Sequence, residues 1–201
     1  MAQRTDAEHN AKMAKKKVAQ DRIVAAKTIE KGLVIVHTGK GKGKTTAALG
    51  MVVRAIGHDM KVGVVQFVKG AMTTGEAAVF AHFPDVDFKP MGEGFTWDTQ
   101  DRARDIAVAR VAWDEVKRMI ADPTYDMVLA DELNIVLRYD YLPLDEVLAV
   151  LATKPAATHV ILTGRNAPDA LIAAADLVTE MEQIKHPFRD QGVKAQRGIE
   201  F

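Results

Sequence analysis

Residues 38–46, with the sequence TGKGKGKTT, combine three glycines and three lysines in the manner of a phosphate-binding loop. Glycines allow such a loop to curl so that backbone N–H groups point inward at an anion, and the N-terminus of a following helix adds partial positive charge. In this pattern Lys44 reaches the phosphates and Thr45 is a ligand for Mg²⁺. The predicted nucleotide-binding residues of the segment are Thr38, Gly39, Lys40, Gly41, Lys42, Gly43, Lys44, Thr45 and Thr46.

The segment departs from the general G-x-x-x-x-G-K-[ST] pattern at its first position, where Thr38 stands and the glycine is displaced to Gly39. An ordinary nucleoside triphosphatase keeps that first glycine, so the altered loop could hold a triphosphate in an unusual way. The apolar run 33–36 before the loop suits a buried strand, and residues 47–56 after it suit a helix. The alternative is a surface turn rich in glycine and lysine, which the flanking strand and helix disfavour.

Two adjacent acids, Asp131 and Glu132, follow the apolar run 127–130. In a phosphate-loop protein the second acidic element stands at the end of such a strand, beside the strand that precedes the loop. One of the two carboxylates is expected to hold Mg²⁺, directly or through water, opposite Thr45. The alternative is that both acids only favour a helix N-terminus through its dipole, an effect of about 0.3–1 kcal/mol.

The rest of the chain alternates between two kinds of pattern. Apolar runs predict strands at 62–68, 86–88, 127–130, 157–163 and 177–183, and helical spacing predicts helices at 71–83, 106–120, 168–175 and from Pro143 onward. Strands that alternate with helices imply right-handed crossovers and a mainly parallel sheet covered on both faces. We therefore expect residues 31–201 to form a three-layer α/β domain.

Residues 1–30 are expected to form a separate basic arm. Residues 1–31 carry eight lysines and arginines against four acids, an excess of four positive charges. Small apolar residues recur at helical spacing, but the stripe is thin, which predicts a weak helix that needs a partner surface. A disordered, solubilising arm is the alternative.

Overall composition narrows the possible partners. Lysine plus arginine and aspartate plus glutamate are equal at 27 each, so no global charge indicates nucleic acid or membrane as a partner. The absence of cysteine excludes disulfides, thiolate catalysis and cysteine-ligated metal, and it agrees with a reducing cytoplasm. No apolar stretch approaches the roughly 20 residues of a membrane span. We expect a cytoplasmic protein.

Several further motifs, taken with the phosphate loop, resemble one known family. They are Gly92 to Trp97 (GEGFTW), Asp131 to Leu133 (DEL), Tyr139 to Leu144 (YDYLPL), Thr163 to Arg165 (TGR), Lys185 to Phe188 (KHPF) and Gly198 to Phe201 (GIEF). Over about residues 30–201 the chain is similar to the ATP:corrinoid adenosyltransferases of bacterial cobalamin synthesis. The combination is far more specific than the phosphate loop alone.

The resemblance implies a P-loop fold of the RecA-like kind and three ligands, ATP, Mg²⁺ and a reduced corrinoid. The implied reaction transfers the 5′-deoxyadenosyl group of ATP to cobalt and releases triphosphate, with the nucleotide lying in the loop in a reversed sense. Lys44, the loop amides and Mg²⁺ would then stabilise the charge that grows on the leaving triphosphate. A homodimer and an electron donor such as a flavoprotein are also implied, and the basic arm resembles a family helix that folds over the corrinoid.

The resemblance makes Lys44, Phe95 and Trp97 the catalytic residues. Phe95 and Trp97 match family positions that wall the corrin site, where they exclude water and a lower axial ligand, and so keep cobalt four-coordinate and easier to reduce. In the alternative interpretation Thr96 or Asp98 caps the following helix and the aromatic side chains only pack beside it.

Two arginines complete the predicted site. Arg165 follows a predicted strand, and Arg54 lies almost three turns beyond the loop on the helix that follows it. Each is expected to add positive charge near the phosphates, and a surface salt bridge is the competing account for each.

Two other functions remain open from the residues themselves. An ATPase or kinase of the same fold would use Glu132 to position water or a hydroxyl for attack on the γ-phosphate and would release ADP. In a third interpretation the protein is a binding module whose basic arm engages a partner, and ATP only switches the arm between ordered and disordered forms. Corrinoid turnover with release of triphosphate distinguishes an adenosyltransferase from both of these alternatives.

Overall fold

The computed structural model describes residues 5–68, 74–92 and 101–199. The chain divides into two compact units, Met1–Lys31 and Gly32–Phe201. The smaller unit contains one helix, α1 (Asp6–Ala25), which begins with a reciprocal capping box between Thr5 and Glu8. None of the residues of α1 is buried within the structure.

The larger unit is built on a parallel sheet. Within the described residues the strands are β1 (Val34–Thr38), β2 (Val62–Gln66), β3 (Val86–Pro90), β4 (Met127–Asp131), β5 (His159–Thr163) and β6 (Leu177–Glu180). Their order across the sheet is β3-β2-β4-β5-β1-β6, and every neighbouring pair is parallel. Every residue of β1, β2 and β4 is buried, which is typical of parallel strands covered on both faces. The predicted α/β class is confirmed.

Helices cover both faces of this sheet. The helices described in the larger unit are α2 (Lys44–Ile56), α3 (Gly75–Phe80), α4 (Arg102–Ala121), α5 (Leu133–Arg138), α6 (Leu144–Thr153), α7 (Asp169–Ala174) and α8 (Pro187–Gln191), and α8 buries none of its residues. The inner face of α2 packs with β-strand residues such as Val64 and Leu129 in one core. Trp113 of α4, Leu133 of α5 and Val147 of α6 belong to the other core. Two cores separated by one sheet make the predicted three-layer arrangement.

Most predicted elements occur, with shifted ends. β2 ends at Gln66 rather than at residue 68, and β5 begins at His159 rather than at residue 157. β6 ends at Glu180 rather than at residue 183, because the chain there turns to follow the loop after β1: Met181 N–H donates to Thr38 O at 2.9 Å. The helix predicted at 71–83 corresponds to the shorter helix α3, Gly75–Phe80. Residues 71–73 lie outside the part of the chain that the structure describes.

Two short helices have no counterpart in the sequence prediction. α5 and α8 contain six and five residues, fewer than two full turns, so hydrophobic periodicity carries little signal for either. None of the helices in the described ranges combines the length and apolar character needed to cross a membrane.

Candidate functional site

The loop between β1 and α2 requires glycine at two positions. Gly39 has φ +96° and Gly43 has φ +103°, in the left-handed region that side chains disfavour. A Cβ atom on Gly39 would also lie 2.4 Å from the carbonyl oxygen of Met181. The loop therefore turns tightly at the carboxyl edge of the sheet and delivers Gly43 as the N-cap of α2.

The first half of the loop is fixed to the segment that follows β6. Gly41 N–H donates to the carbonyl oxygen of Met181 at 2.7 Å, and a Cβ on Gly41 would lie 2.6 Å from Glu182 O. Since the Gly41 N–H is directed to this neighbouring segment, the donors for an anion are the amides nearer to α2. The first N–H groups of a helix have no partner within the helix and carry its positive dipole.

Thr38 has a structural reason to replace the usual glycine. It is the last residue of β1, it is buried, and its backbone is not in the left-handed region. Its hydroxyl oxygen accepts a hydrogen bond from Ala167 N–H at 3.0 Å. The side chain thus ties the start of the loop to the turn after β5, a contact that glycine could not make.

Lys44 is a buried cation at the N-terminus of α2. Its Nζ donates to the carbonyl oxygen of Gly41, and its own carbonyl oxygen accepts from Nδ1 of the buried His37 at 3.3 Å. Burial lowers the pKa of Lys44 below its ordinary value of 10.5, and the nearby charges of Glu132 and Arg165 raise and lower it respectively. An anion in the loop would favour the charged form of this side chain.

Asp131 is the centre of a polar cluster at the end of β4. Its carboxylate is fully buried, and Oδ1 accepts from the hydroxyls of Thr45 at 2.8 Å and Thr163 at 2.7 Å. Oδ2 accepts from Nε2 of Gln66 at 3.0 Å. The structure therefore brings together the predicted pair Thr45 and Asp131, and it adds two neighbours, Thr163 and Gln66, that the sequence analysis did not identify.

Glu132 occupies a strained turn directly after Asp131. Its φ is +66°, which costs a residue other than glycine of the order of 1 kcal/mol. Its N–H donates to the Thr163 hydroxyl at 2.9 Å, which helps to hold this conformation at the start of α5. The half-buried side chain lies close enough to Lys44 for its charge to raise the pKa of that lysine.

The oxygen ligands at this edge suit Mg²⁺. The hydroxyl of Thr45 and the carboxylate of Asp131 are hard oxygen donors, and they lie within hydrogen-bond distance of each other. Among the described residues no group of three or more histidines, cysteines, aspartates or glutamates could hold a metal ion. One hydroxyl and one carboxylate are the kind of donors that bind an ion which keeps waters and shares phosphate oxygens, as Mg²⁺ does.

The two predicted arginines lie in different places. Arg165 is half-buried in the turn after β5, where Gly164 has φ +129° and Asn134 Nδ2 donates to Gly164 O at 3.0 Å. Burial and, to a smaller extent, the charge of Arg165 lower the pKa of Lys44, so this arginine lies near the loop. Arg54 is exposed in the last turn of α2, ten residues beyond Lys44 and thus about 15 Å along the helix. The structure does not bring Arg54 to the loop.

The remaining predicted site residues fall into two groups. Lys40, Lys42 and Thr46 are exposed on the loop and the first turn of α2. Phe95 and Trp97 lie outside the described residues.

The YDYLPL motif, residues 139–144, runs from the end of α5 to the first residue of α6. The rings of Tyr139 and Tyr141 stack with their centroids 5.6 Å apart, and Tyr141 OH donates to Asp105 of α4 at 3.1 Å. Residues of this motif line a cavity of about 580 Å³ together with residues of α4 and Pro168. The motif thus links α4 to the turn that begins α6.

Comparison with known proteins gives consistent matches over nearly the whole chain. The family model described as ATP:corrinoid adenosyltransferase BtuR/CobO/CobP matches residues 30–201. A corrinoid adenosyltransferase of Sinorhizobium sp. is 60% identical over 203 residues, which cover 100% of this chain and 94% of that protein. One of Pseudomonas aeruginosa is 53% identical over 98% of this chain and 97% of that protein. One of Escherichia coli K12 is 47% identical over 98% of this chain and 100% of that protein.

Proposed function

Because the chain belongs to the ATP:corrinoid adenosyltransferase family, we propose that the loop between β1 and α2 holds the triphosphate of ATP while the adenosyl group passes to a corrinoid. The observation that carries this proposal is the meeting of Lys44, Thr45 and Asp131 at one edge of the sheet. A buried cation, a helix N-terminus and a pair of oxygen donors are the groups that a triphosphate with its metal ion requires.

The reaction is a displacement at carbon. The electron pair of Co(I) forms the cobalt–carbon bond to C5′, and the C5′–O bond breaks with its electron pair leaving on triphosphate. No proton moves in this step, so the site needs no general base. The protein contributes by orienting the two substrates and by stabilising negative charge on the leaving group.

Lys44 is the residue assigned to that stabilisation. Its Nζ is already held by the carbonyl of Gly41, so little reorganisation is needed when the charge on the triphosphate grows. The N–H groups at the start of α2 add donors directed at the same anion. Arg165 supplies a further positive charge on the β5 side of the loop.

Thr45 and Asp131 would hold Mg²⁺, with Thr163 and Gln66 fixing the carboxylate. When bound there, the ion supplies positive charge to the phosphate oxygens and so favours departure of triphosphate. Glu132, next to this pair, balances part of the positive charge around Lys44.

We propose a reversed placement of the nucleotide, with C5′ facing the cobalt. Two features of the loop support it. Thr38 replaces the glycine of the general pattern and is bonded to the turn after β5, and the Gly41 N–H is bonded to Met181. The first half of the loop therefore differs in shape and in available donors from the loop that ordinary nucleoside triphosphatases use.

Phe95 and Trp97 are proposed as the wall of the corrin site on the family resemblance alone. If they keep cobalt four-coordinate, Phe95→Ala and Trp97→Ala should slow conversion that starts from Co(II) more than conversion that starts from prereduced Co(I). Equal losses in the two assays would make them packing residues. Arg54, remote from the loop in this chain, keeps a proposed ATP-binding role by the same resemblance, and an unchanged KM for ATP in Arg54→Ala would remove it.

The resemblance also supports a homodimer, a reductant such as a flavoprotein and a cytoplasmic location. Sedimentation of the purified protein tests the first of these, since a monomer at micromolar concentration would contradict it. Reduction of bound Co(II) corrinoid by a candidate flavoprotein tests the second, and fractionation of cells tests the third.

The function is tested by an anaerobic reaction with ATP, Mg²⁺ and chemically reduced corrinoid, followed by phosphorus NMR and absorbance. Triphosphate is expected to appear one for one with a photolabile alkylcobalt product. Formation of ADP without corrinoid would instead identify an ATPase or kinase. Lys44→Ala is expected to lower kcat about 100-fold or more, whereas Lys89→Ala, an exposed lysine of β3, should leave it unchanged.

A further inference from the structure

We propose that Gln66 is a positioning residue for the metal site, with its amide nitrogen fixing Asp131 and its amide oxygen accepting a hydrogen bond from a water on the bound Mg²⁺. The inference rests on the proposed function of this site and extends it to a residue on a different strand. Gln66 is the last residue of β2, where an apolar run ends in a polar side chain.

The position of Gln66 follows from the register of the sheet. Gln66 and Asp131 are partners in the parallel ladder between β2 and β4, so their side chains project to the same face. Gln66 is 1% exposed and Asp131 is 0% exposed. The 3.0 Å hydrogen bond between Nε2 and Oδ2 is thus formed away from solvent, where it strongly restricts the carboxylate.

The chemistry of the pair fixes the orientation of the amide. The Asp131 carboxylate accepts from the hydroxyls of Thr45 and Thr163, and Gln66 contacts its other oxygen through the NH₂ group, the donor end of the amide. The amide oxygen Oε1 is consequently turned away from Asp131. Within the described part of the chain, this buried oxygen has no hydrogen-bond partner.

A buried acceptor without a partner is unfavourable, so its presence beside a metal site calls for a donor that arrives with the ligand. Mg²⁺ keeps several of its waters when it binds through one or two carboxylates and phosphate oxygens. Those waters are strong donors because the cation polarises them. Gln66 is then a partner of the hydrated ion as well as of Asp131, in the way that outer hydrogen bonds orient metal ligands elsewhere.

The test measures metal affinity without turnover. Mn²⁺ serves as a paramagnetic probe together with inorganic triphosphate, and the enhancement of water-proton relaxation distinguishes protein-bound Mn²⁺ from the Mn²⁺–triphosphate complex free in solution. Gln66→Met keeps the length of the side chain but removes both polar atoms, and it is expected to weaken Mn²⁺ binding about 10-fold or more. The matched control is Thr158→Val, which also removes a buried polar group. Thr158 directly precedes β5, at the end of that strand away from Thr163, so this change should leave Mn²⁺ affinity unchanged.

Adenosylation at varied Mg²⁺ gives a second readout. In Gln66→Met the Mg²⁺ concentration for half-maximal rate should rise by a similar factor, while the rate at saturating Mg²⁺ recovers most of its normal value. Wild-type metal affinity in a folded Gln66→Met protein would overturn the proposal and leave Gln66 a packing residue. If Gln66→Met does not fold, Gln66→Asn is measured in the same assay. Asparagine keeps the amide but is shorter by one methylene group, so it should also weaken metal binding. Unchanged metal affinity in Gln66→Asn would likewise overturn the proposal.

Failure of the proposed function would look different. ADP formed without corrinoid by the wild-type protein would overturn adenosyl transfer, yet the Mn²⁺ measurement on Gln66→Met would still decide the role of Gln66. Corrinoid adenosylation by the wild-type protein at full rate without any divalent cation would overturn the role of Gln66 and leave the transfer reaction standing.

Discussion

Among single residues, Lys44 of the loop has a pKa that its burial lowers. Lys44 is nearly buried, and burial lowers its pKa below 10.5, so folding alone disfavours its charge. A triphosphate bound as proposed would oppose this effect, because an anion beside the ammonium group favours the protonated form. Binding of the ligand and protonation of Lys44 are therefore linked.

We expect the affinity for inorganic triphosphate to fall as the pH rises through the lowered pKa of Lys44. The ligand binds the protonated lysine better, so above the pKa of the free protein each binding event must also take up a proton. Titration calorimetry between about pH 7 and pH 10 measures this dependence. Lys44→Arg is the control, because arginine stays charged over this range and its pH dependence should be flat by comparison. Parallel curves for the two proteins would contradict the prediction.

The sequence identified some residues of the site and missed others for a physical reason. Lys44, Thr45 and Asp131 belong to motifs whose spacing along the chain carries their chemistry. Gln66 and Thr163 contact Asp131 only because β2 and β5 lie on either side of β4, and strand order cannot be read from chain order. The sequence marked these two residues only by their position, since each is a polar residue at the end of an apolar strand.

At the scale of elements, the close contact between the phosphate loop and the segment after β6 permits no side chain at Gly41. Gly41→Ala is expected to lower the free energy of unfolding by about 1–3 kcal/mol, since its Cβ would meet the Glu182 backbone at 2.6 Å. Gly50→Ala is the matched control within α2, where a Cβ meets no atom within 4 Å. That change should stabilise the protein by about 0.5–1 kcal/mol. Urea unfolding of both variants makes the comparison, and equal effects would contradict it.

A histidine links β5 to the start of β1. Leu33 N–H donates to Nδ1 of His159 at 3.1 Å, and burial lowers the pKa of His159 below its ordinary 6.5. The folded protein therefore prefers the neutral ring, which alone can accept this hydrogen bond. Stability from this group is complete above pH 6.5 and is lost as the pH falls from 6.5 toward the lowered pKa of the folded state.

We expect His159→Gln to be less sensitive to this acidification than the wild-type protein. The glutamine amide oxygen can accept from Leu33 N–H and does not titrate. Urea unfolding at a series of pH values below 6.5 tests this expectation. An identical loss of stability in both proteins would show that other groups cause it.

The sequence predicted the long helices better than the short ones. The amphipathic stripe of α4 predicted that helix well, since it repeats over 20 residues and buries Trp113 and Val116. α5 owes its start to the left-handed turn at Glu132, and α8 begins where His186 Nδ1 accepts from Phe188 N–H. Such local hydrogen bonds leave no periodic pattern in the sequence.

At the scale of the whole molecule, the two units differ in charge and in burial. Residues 1–31 carry an excess of four positive charges, which the remainder of the chain balances. The sheet and both cores lie within Gly32–Phe201, and α1 buries none of its residues. The stability of the larger unit should thus be independent of the arm.

Deletion of residues 1–31 is expected to change Tm by less than about 2 °C, the shift that corresponds to a fraction of a kcal/mol for a domain of this size. If the arm covers the corrinoid as its resemblance to the family helix suggests, the deletion should raise KM for corrinoid and leave KM for ATP unchanged. Calorimetry and steady-state kinetics of the two proteins measure these effects. A large fall in Tm, or equal changes in both KM values, would contradict the prediction.

The strand order also governs when the site exists during synthesis on the ribosome. β1 and its loop are translated early, yet the strands on either side of β1 are β5 and β6, which are among the last to be made. Until Met181 has left the exit tunnel, Thr38 O and Gly41 N–H lack the partners that hold the loop in place. The nascent chain therefore carries the loop sequence long before it has a nucleotide site, and ATP can assist only the final step of its maturation.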